Sequence, residues 1–346
     1  MIHLRLVVPG ERTDAVVALL LKRVDVANVM HLPGASLRPI GDLVQCDVAR
    51  EATDELLAQL HSLGVDAGGS IAVETLDMLV SQHPETAEQS GHEEAADSVV
   101  WESVEASAAN EVRGGWMFHA FLTLGIALAA ISVKLDSAIT VIAAMVVSPD
   151  FSPVAAACVG TVRRRQRHLI GKAAWLFVSG FAIAIAAVTV LAFLAALAGW
   201  ISIDDLLAPR PRTDFIWKPD RWSFVVALLA GAAGTLALTS SRSNTMVGVF
   251  IAVTTVPAAA NLAFALAVGL DAWLFPVKVL SAVAAGDTVW QEITGSVAQL
   301  LVNVAGMFAA GVATLLIAQW ASQRAMARST ANLASSKIRK KERPSR

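Results

Sequence analysis

The sequence predicts an α-helical polytopic membrane domain of six spans, built as a 3+3 inverted repeat with two proline-broken helices. A small α+β ferredoxin-like (βαββαβ) soluble domain precedes it. Three observations carry this reading. Of the 346 residues, 55% are hydrophobic, and the mean hydropathy of +0.58 is too high for a soluble enzyme of this size. Several windows exceed the ~20 apolar residues that cross a bilayer as a helix. Charge is divided along the chain: residues 1–112 carry 6 basic and 19 acidic side chains, net −13, and residues 113–346 carry 21 and 10, net +11. Finally, two hydrophobic segments, residues 136–162 and 243–269, are each interrupted by proline.

Residues 1–80 read as the soluble domain. Residues 2–8 (IHLRLVV) alternate like a half-buried strand and end at Pro9-Gly10. Residues 11–23 place Val16, Leu19 and Leu20 on one face of a short helix. Residues 24–32 form a second strand that Pro33-Gly34 turns, and residues 42–48 a third. An amphipathic helix over 51–63 closes at Gly64, and residues 71–79 supply the fourth strand. The order is that of the ferredoxin-like fold, whose functional reading here is a small ligand-sensing regulatory module. His3, His31 and His61 are single histidines, expected to serve packing or surface rather than metal binding. Cys46 and Cys158 fall in a strand and a membrane helix, so neither a disulfide nor a metal site is expected, and no cofactor. No signal peptide is read at the N-terminus, where Pro9 precedes any long apolar core.

Residues 81–114 join the two parts. The polar, acidic run 81–97 reads as a flexible linker. Residues 98–112 read as a helix with Val100, Val104 and Ala108 on one side, set against the membrane entrance or a second copy of itself.

The membrane domain covers 115–321, and 322–346 is a basic tail. Its six segments are 116–133, the broken 136–162, 171–200, 223–239, the broken 243–269, and 294–320. Trp116, Trp200, Trp222 and Trp320 mark segment ends, where indole sits well between lipid and water. Residues 273–283 are too short and too interrupted, by Pro276 and Lys278, to span, and read as interfacial or re-entrant. Ala227, Ala230, Gly231 and Gly234 make small-xxx-small pairs suited to close helix packing.

Six spans put both termini on one face. That face holds Arg113, the Arg163–Lys172 cluster, Arg242 and the tail, 15 basic residues in all, against 6 on the other face. The positive-inside bias therefore places both termini in the cytoplasm, with the protein in the cell inner membrane and loops 201–221 and 270–293 outside. The KIRKKER tail is read as a topology anchor on anionic lipid, and no nucleic-acid partner is expected.

In the first broken segment the apolar run meets Ser148-Pro149-Asp150-Phe151-Ser152-Pro153. Prolines four apart do not fit a regular helix, and the carbonyls they free need partners. In the second segment Thr254, Thr255 and Pro257 follow a similar run. Ser137 precedes Pro153 by 16 positions and Ser243 precedes Pro257 by 14, so the two align with a gap of two. Three spans per half make the repeat inverted, and paired breaks point to a binding site near the midplane. The expected substrate or ion site is Ser148, Asp150 and Ser152 from the first break and Thr254, Thr255 and Asn261 from the second, with Asn303 as a further contributor. Asp150 is expected to be its only formal charge and a proton or sodium carrier, since a carboxylate at that depth must be protonated, paired or solvated. The competing reading is that Asp150 caps the second half-helix. Hydroxyls, an amide and freed carbonyls suit a hard cation or a zwitterion.

Ser137 with VIAAMVVSP and the following SP, then ALLAGAAG, MVGVFIAV with VP, and Asn303-Val304-Ala305-Gly306, together resemble the domain-of-unknown-function 389 family of bacterial membrane proteins. The resemblance covers about residues 115–315, and residues 1–80 are similar to the module often found before it. It implies a hydrophobic domain with a proline-broken helix in each half and no established biochemical activity. The family pattern has a bulky apolar residue where Asp150 stands and commonly two adjacent prolines where this chain has Val256-Pro257. A role for Asp150 therefore rests on its own chemistry alone.

The leading function is a secondary transporter or permease of a small solute or ion with a regulatory cytoplasmic domain. The alternative is a membrane-anchored ligand sensor without transport activity. An intramembrane enzyme comes last, because the spans hold no HExxH, GxSxG, Walker motif or matched carboxylates. The expected partners are the lipid bilayer, the transported molecule or ion, a small ligand on the N-terminal domain, and a second copy of the chain.

Overall fold

The computed structural model describes residues 2–75, 99–239, 254–275 and 282–341. The expected linker 81–97 and residues 243–253 of the second broken segment lie outside them. The chain divides into two compact units, Met1–Val104 with Ile317–Arg346, and Glu105–Leu316.

The first unit is built on a four-stranded sheet, β1 (Ile2–Val8), β2 (Val26–Leu37), β3 (Ile40–Val48) and β4 (Ser70–Thr75), in the order β2-β3-β1-β4. Every neighbouring pair is antiparallel. The alternation of β1 buries Ile2, Leu4, Leu6 and Val8 on one face, as the two-residue period of a strand requires. That face packs on Val16 and Leu20 of α1 (Gly10–Lys22) and on Leu56, Leu57 and Leu60 of α2 (Thr53–Ser62). A four-residue helix, α3 (Val65–Gly68), leads into β4. The expected continuation of β4 to Leu79 lies outside the described residues.

Pro33-Gly34 does not end the second strand as expected. Gly34 takes a left-handed φ of 63°, and the register of β2 on β3 shifts between Leu32 and Ser36. A bulge thus absorbs the proline and glycine at a sheet edge, where both are tolerated. Asp42 Oδ1 accepts the Gly34 N–H at 2.7 Å, and the hairpin turns instead at Arg38-Pro39. Cys46 is buried in the core, and desolvation pushes its thiol up to about 12.

The helix expected at 98–112 is α4 (Trp101–Glu111). Its first residues belong with the sheet. Val100 is part of the same core, the Trp101 N–H donates to Asp54 Oδ2 at 3.2 Å, and His61 Nε2 pairs with Glu102 Oε1 at 2.9 Å.

Among the described residues of the second unit, α5 (Trp116–Lys134), α8 (His168–Leu197), α10 (Arg221–Thr239) and α11 (Thr255–Leu274) are long and apolar enough to cross a bilayer. A fifth such span, Gly286–Arg324, lies inside α12 (Ala282–Lys341). The expected broken span is α6 (Ala138–Val147) and α7 (Phe151–Val162), bent by 52°, which makes a sixth if the pair counts as one. Helix α11 runs past the expected end at 269. Helix α12 starts well before residue 294, so residues 282–293 are helical rather than loop.

α11 is the central helix: 72% of its span is buried, against 28% for the span in α12. Its Val256, Ala259, Ala260 and Ala263 pack with Leu122 and Ile126 of α5, Ala144 of α6, and Phe181 and Ala184 of α8. The small residues of α10 admit close neighbours. A Cβ on Gly231 would sit 2.6 Å from Met307 Cα, and one on Gly306 would sit 2.7 Å from the Ala227 methyl. The first meets backbone and the second a methyl group, close approaches of the kind small-xxx-small pairs allow.

Candidate functional site

Ser137 starts α6 as its N-cap, accepting the Thr140 N–H at 3.4 Å. The helix ends at Val147 because Ser148 precedes a proline and is held extended, at φ −91° and ψ 131°. Asp150 then opens α7. Pro153 is the third residue of α7 and Pro257 the third residue of α11, first-turn positions where the missing N–H has no helical partner to lose. Asp150 and Thr254 hold the matching N-cap positions. Asp150 and Pro153 at the start of α7 and Thr254 and Pro257 at the start of α11 therefore hold matching positions.

The two starts meet. Asp150 is 3% exposed, and its carboxyl interacts with the Thr255 side chain and with the backbone N–H groups of Asp150 and Phe151. The Thr255 hydroxyl makes no hydrogen bond of full geometry among the described residues, nor does that of Ser148, and both are buried. Asp150 has helical dihedrals, φ −72° and ψ −24°, and no side-chain cap hydrogen bond, unlike an ordinary N-cap. Ser152 lies one residue into α7 and is also buried. Ser148 fits against α5 only because position 125 is glycine, where a Cβ would collide with the Ser148 hydroxyl.

Thr254 is tied to α12. Its hydroxyl accepts from Gln299 Nε2 at 2.9 Å and from Asn303 Nδ2 at 3.0 Å, and Gln299 also donates to Asn303 Oδ1 at 3.2 Å. Gln299 Oε1 is buried with no hydrogen-bond partner among the described residues. Asn303 and Gln299 are thus both hydrogen-bonded to the start of α11, Gln299 being a residue the sequence reading did not include.

Asn261 does not join them. It lies six residues along α11 from Thr255, about 9 Å at the helical rise, and binds Arg210, Glu292 and Ser296 instead. Asp150 is also not the only buried charge of this unit, because Arg210 and Glu292 form an ion pair at 6% and 2% side-chain exposure. Glu292 lies in a segment whose sequence reads as loop but which is helical. Its signal is the spacing of Glu292, Ser296, Gln299 and Asn303, one polar face on an otherwise apolar helix. Arg210 carries no such signal, since nothing in its local sequence separates it from Arg212.

No curated protein and no solved structure matches the chain. One family model does, over residues 145–309, and its description is Domain of unknown function (DUF389). The matched stretch takes in both helix starts and the whole polar face of α12, inside the range over which the motifs led the resemblance to be expected. Over residues 145–309 the chain is thus similar to the DUF389 family.

Proposed function

We propose that this protein is a secondary transporter or permease of the cell inner membrane, with both termini cytoplasmic. It carries a small cation or zwitterion past the meeting point of α7 and α11, and its N-terminal domain, read as ferredoxin-like, regulates it. The observation that carries the proposal is the buried Asp150 carboxyl set between two helix starts, beside the buried Ser148 and Thr255 hydroxyls, neither of which makes a hydrogen bond of full geometry among the described residues. Proteins leave few buried polar atoms unsatisfied, so several at one spot favour a ligand there. The helix ends supply both signs: carbonyls from the end of α6, N–H groups from the starts of α7 and α11. A zwitterion fits that pattern, its ammonium on Asp150 and its acidic end on the helix starts. The matching positions of Pro153 and Pro257 support the inverted repeat. The helical dihedrals of Asp150 weigh against a purely capping role.

Reconstitution of the full chain with an imposed ion gradient tests this. Asp150→Asn keeps the shape and loses the charge, and is expected to abolish ion-coupled uptake while the protein stays folded. Unchanged coupled uptake in that variant removes Asp150 from the mechanism. No flux of any solute by the parent would leave the membrane-anchored sensor as the better reading.

A further inference from the structure

The cluster around Asn261 has a composition the transport reading does not use. Arg210 stands on the loop after α9 (Ile203–Leu207) and is 8% exposed. Its Nη1 donates to Asn261 Oδ1 at 3.1 Å, and its Nη2 donates to Glu292 Oε1. Asn261 Nδ2 donates in turn to Glu292 Oε2 at 3.1 Å and to Ser296 Oγ at 3.0 Å. Asn261, Glu292 and Ser296 are each 1% exposed or less. The loop is pinned next door, where the Asp136 carboxylate accepts the Arg212 N–H at 3.1 Å and the Thr213 hydroxyl at 2.9 Å.

The oxygen acceptors of this cluster all stand on the membrane helices α11 and α12, and only the cation comes from a loop. Without the Arg210 side chain, a helix-borne cage remains: the Glu292 carboxylate and the Asn261 amide oxygen, spaced to hold the fork of a guanidinium, with the Ser296 hydroxyl accepting from Asn261 beside them. From that cage the polar face of α12 continues through Gln299 and Asn303 to Thr254, beside the Thr255–Asp150 contact. The free Gln299 carbonyl oxygen lies on that path, buried and unpartnered among the described residues. The face from Glu292 to Asn303 spans eleven residues, about 16 Å of helix.

We propose that Glu292, Asn261 and Ser296 form a cation subsite for a guanidinium or primary ammonium group, and that Arg210 is its tethered occupant. A solute bearing such a group displaces Arg210 from Glu292 on its way to Asp150, and Arg210 closes the path when the solute has left. The path rests on the transport reading; the subsite does not. A buried carboxylate stripped of its counter-ion is strongly disfavoured. Arg210 therefore leaves only when another cation with matching donors takes its place, which links opening to solute arrival.

The test is chemical rescue in the full-length protein, purified in detergent or nanodiscs. Arg210→Ala should melt well below the parent. Millimolar guanidinium chloride should raise its Tm by several degrees, whereas sodium chloride at equal ionic strength should not. The parent, whose cage is filled, should not respond, nor should Arg210→Ala/Glu292→Gln, whose cage lacks the carboxylate. A folded Arg210→Ala that guanidinium leaves unchanged, or an equal rise in the double variant, overturns the proposal. If Arg210→Ala does not fold, Arg210→Lys serves, because one ammonium meets Glu292 but cannot bridge it to Asn261 as the fork does. Ser296→Cys should then react with a small cationic methanethiosulfonate faster in the Arg210→Lys background than beside Arg210, and equal rates overturn the proposal. Rescue together with a parent that transports nothing would uphold the subsite and remove the transport reading alone.

Discussion

At the scale of single residues, this membrane domain depends on where a side chain is missing as much as on where one is present. Gly231 faces the backbone of Met307 so closely that a methyl group would lie 2.6 Å from Met307 Cα, with only backbone to give way. Gly231→Ala should therefore push α10 from α12 and cost about 1–3 kcal/mol, the usual penalty of overpacking. Gly171, on α8, has open space where its Cβ would stand. Gly171→Ala should be neutral or gain up to about 1 kcal/mol from helix propensity. Thermal melts of the two variants beside the parent check both, and equal destabilisation would mean that close approach does not set the α10–α12 distance. The charged residues divide by how local their signal is. Asp150 is legible in sequence because a carboxylate between two prolines interrupts an apolar run. Arg210 is not, because Arg210 and Arg212 flank the same proline and only packing in three dimensions buries one and exposes the other.

At the scale of elements, periodicity told most where one face is buried and least where two elements share a job. The alternation of β1 and the faces of α1 and α2 follow directly from which residues must leave water. The bulge of β2 does not, because Pro33-Gly34 suits a turn equally well and only pairing with β3 selects the bulge. The start of α4 has the same character: Val100 reads as one apolar residue on a short helix, yet it fills the core of the sheet unit. A fragment ending at residue 80 should accordingly be less stable than Met1–Val104, and Val100→Ala in the longer fragment should cost about 1–2 kcal/mol, as small core deletions do. Equal chemical-denaturation midpoints for the two fragments would contradict this. The clamp on α4 also responds to pH. The hydrogen bond to Glu102 raises the pKa of His61 above its ordinary value, desolvation opposes it, and Asp66 adds to the rise. The protonated form is thus favoured by folding, so this contribution is complete below the unfolded-chain value of ~6.5 and disappears as pH rises through the raised folded value. The melting temperature of Met1–Val104 should fall modestly from pH 6 to pH 8 (both on the order of that unfolded value), and His61→Gln should flatten the slope.

At the scale of the whole molecule, the distribution of basic residues decides orientation, and the structure alters what those residues do without altering the count. Arg210 is tallied with the 201–221 loop as one of 6 basic residues on its face, yet it is spent internally on Glu292. Lys134 is likewise paired, with Asp205. With Lys218 on Asp214, three of the 6 basic residues counted for that face are paired within the fold, and of the 15 counted for the other, Arg163 is paired with Glu105 while Arg164 and Arg165 remain exposed. The bias that retains a face in the cytoplasm comes from uncompensated Lys and Arg near the span ends. These pairings should thus strengthen the orientation with both termini inside. Ala208 is exposed on the 201–221 loop and Arg165 on the cluster after α7, while the native Cys46 and Cys158 are buried and free. In intact cells an impermeant maleimide should label Ala208→Cys and leave Arg165→Cys unlabelled until the membrane is permeabilised. The reverse pattern would turn the protein over, and with it the direction in which a solute reaching Glu292 first would travel. Labelling of both cysteines in intact cells would point to dual orientation, which an inverted repeat can support when its basic residues are balanced. The remaining surplus on the terminal face argues against that outcome.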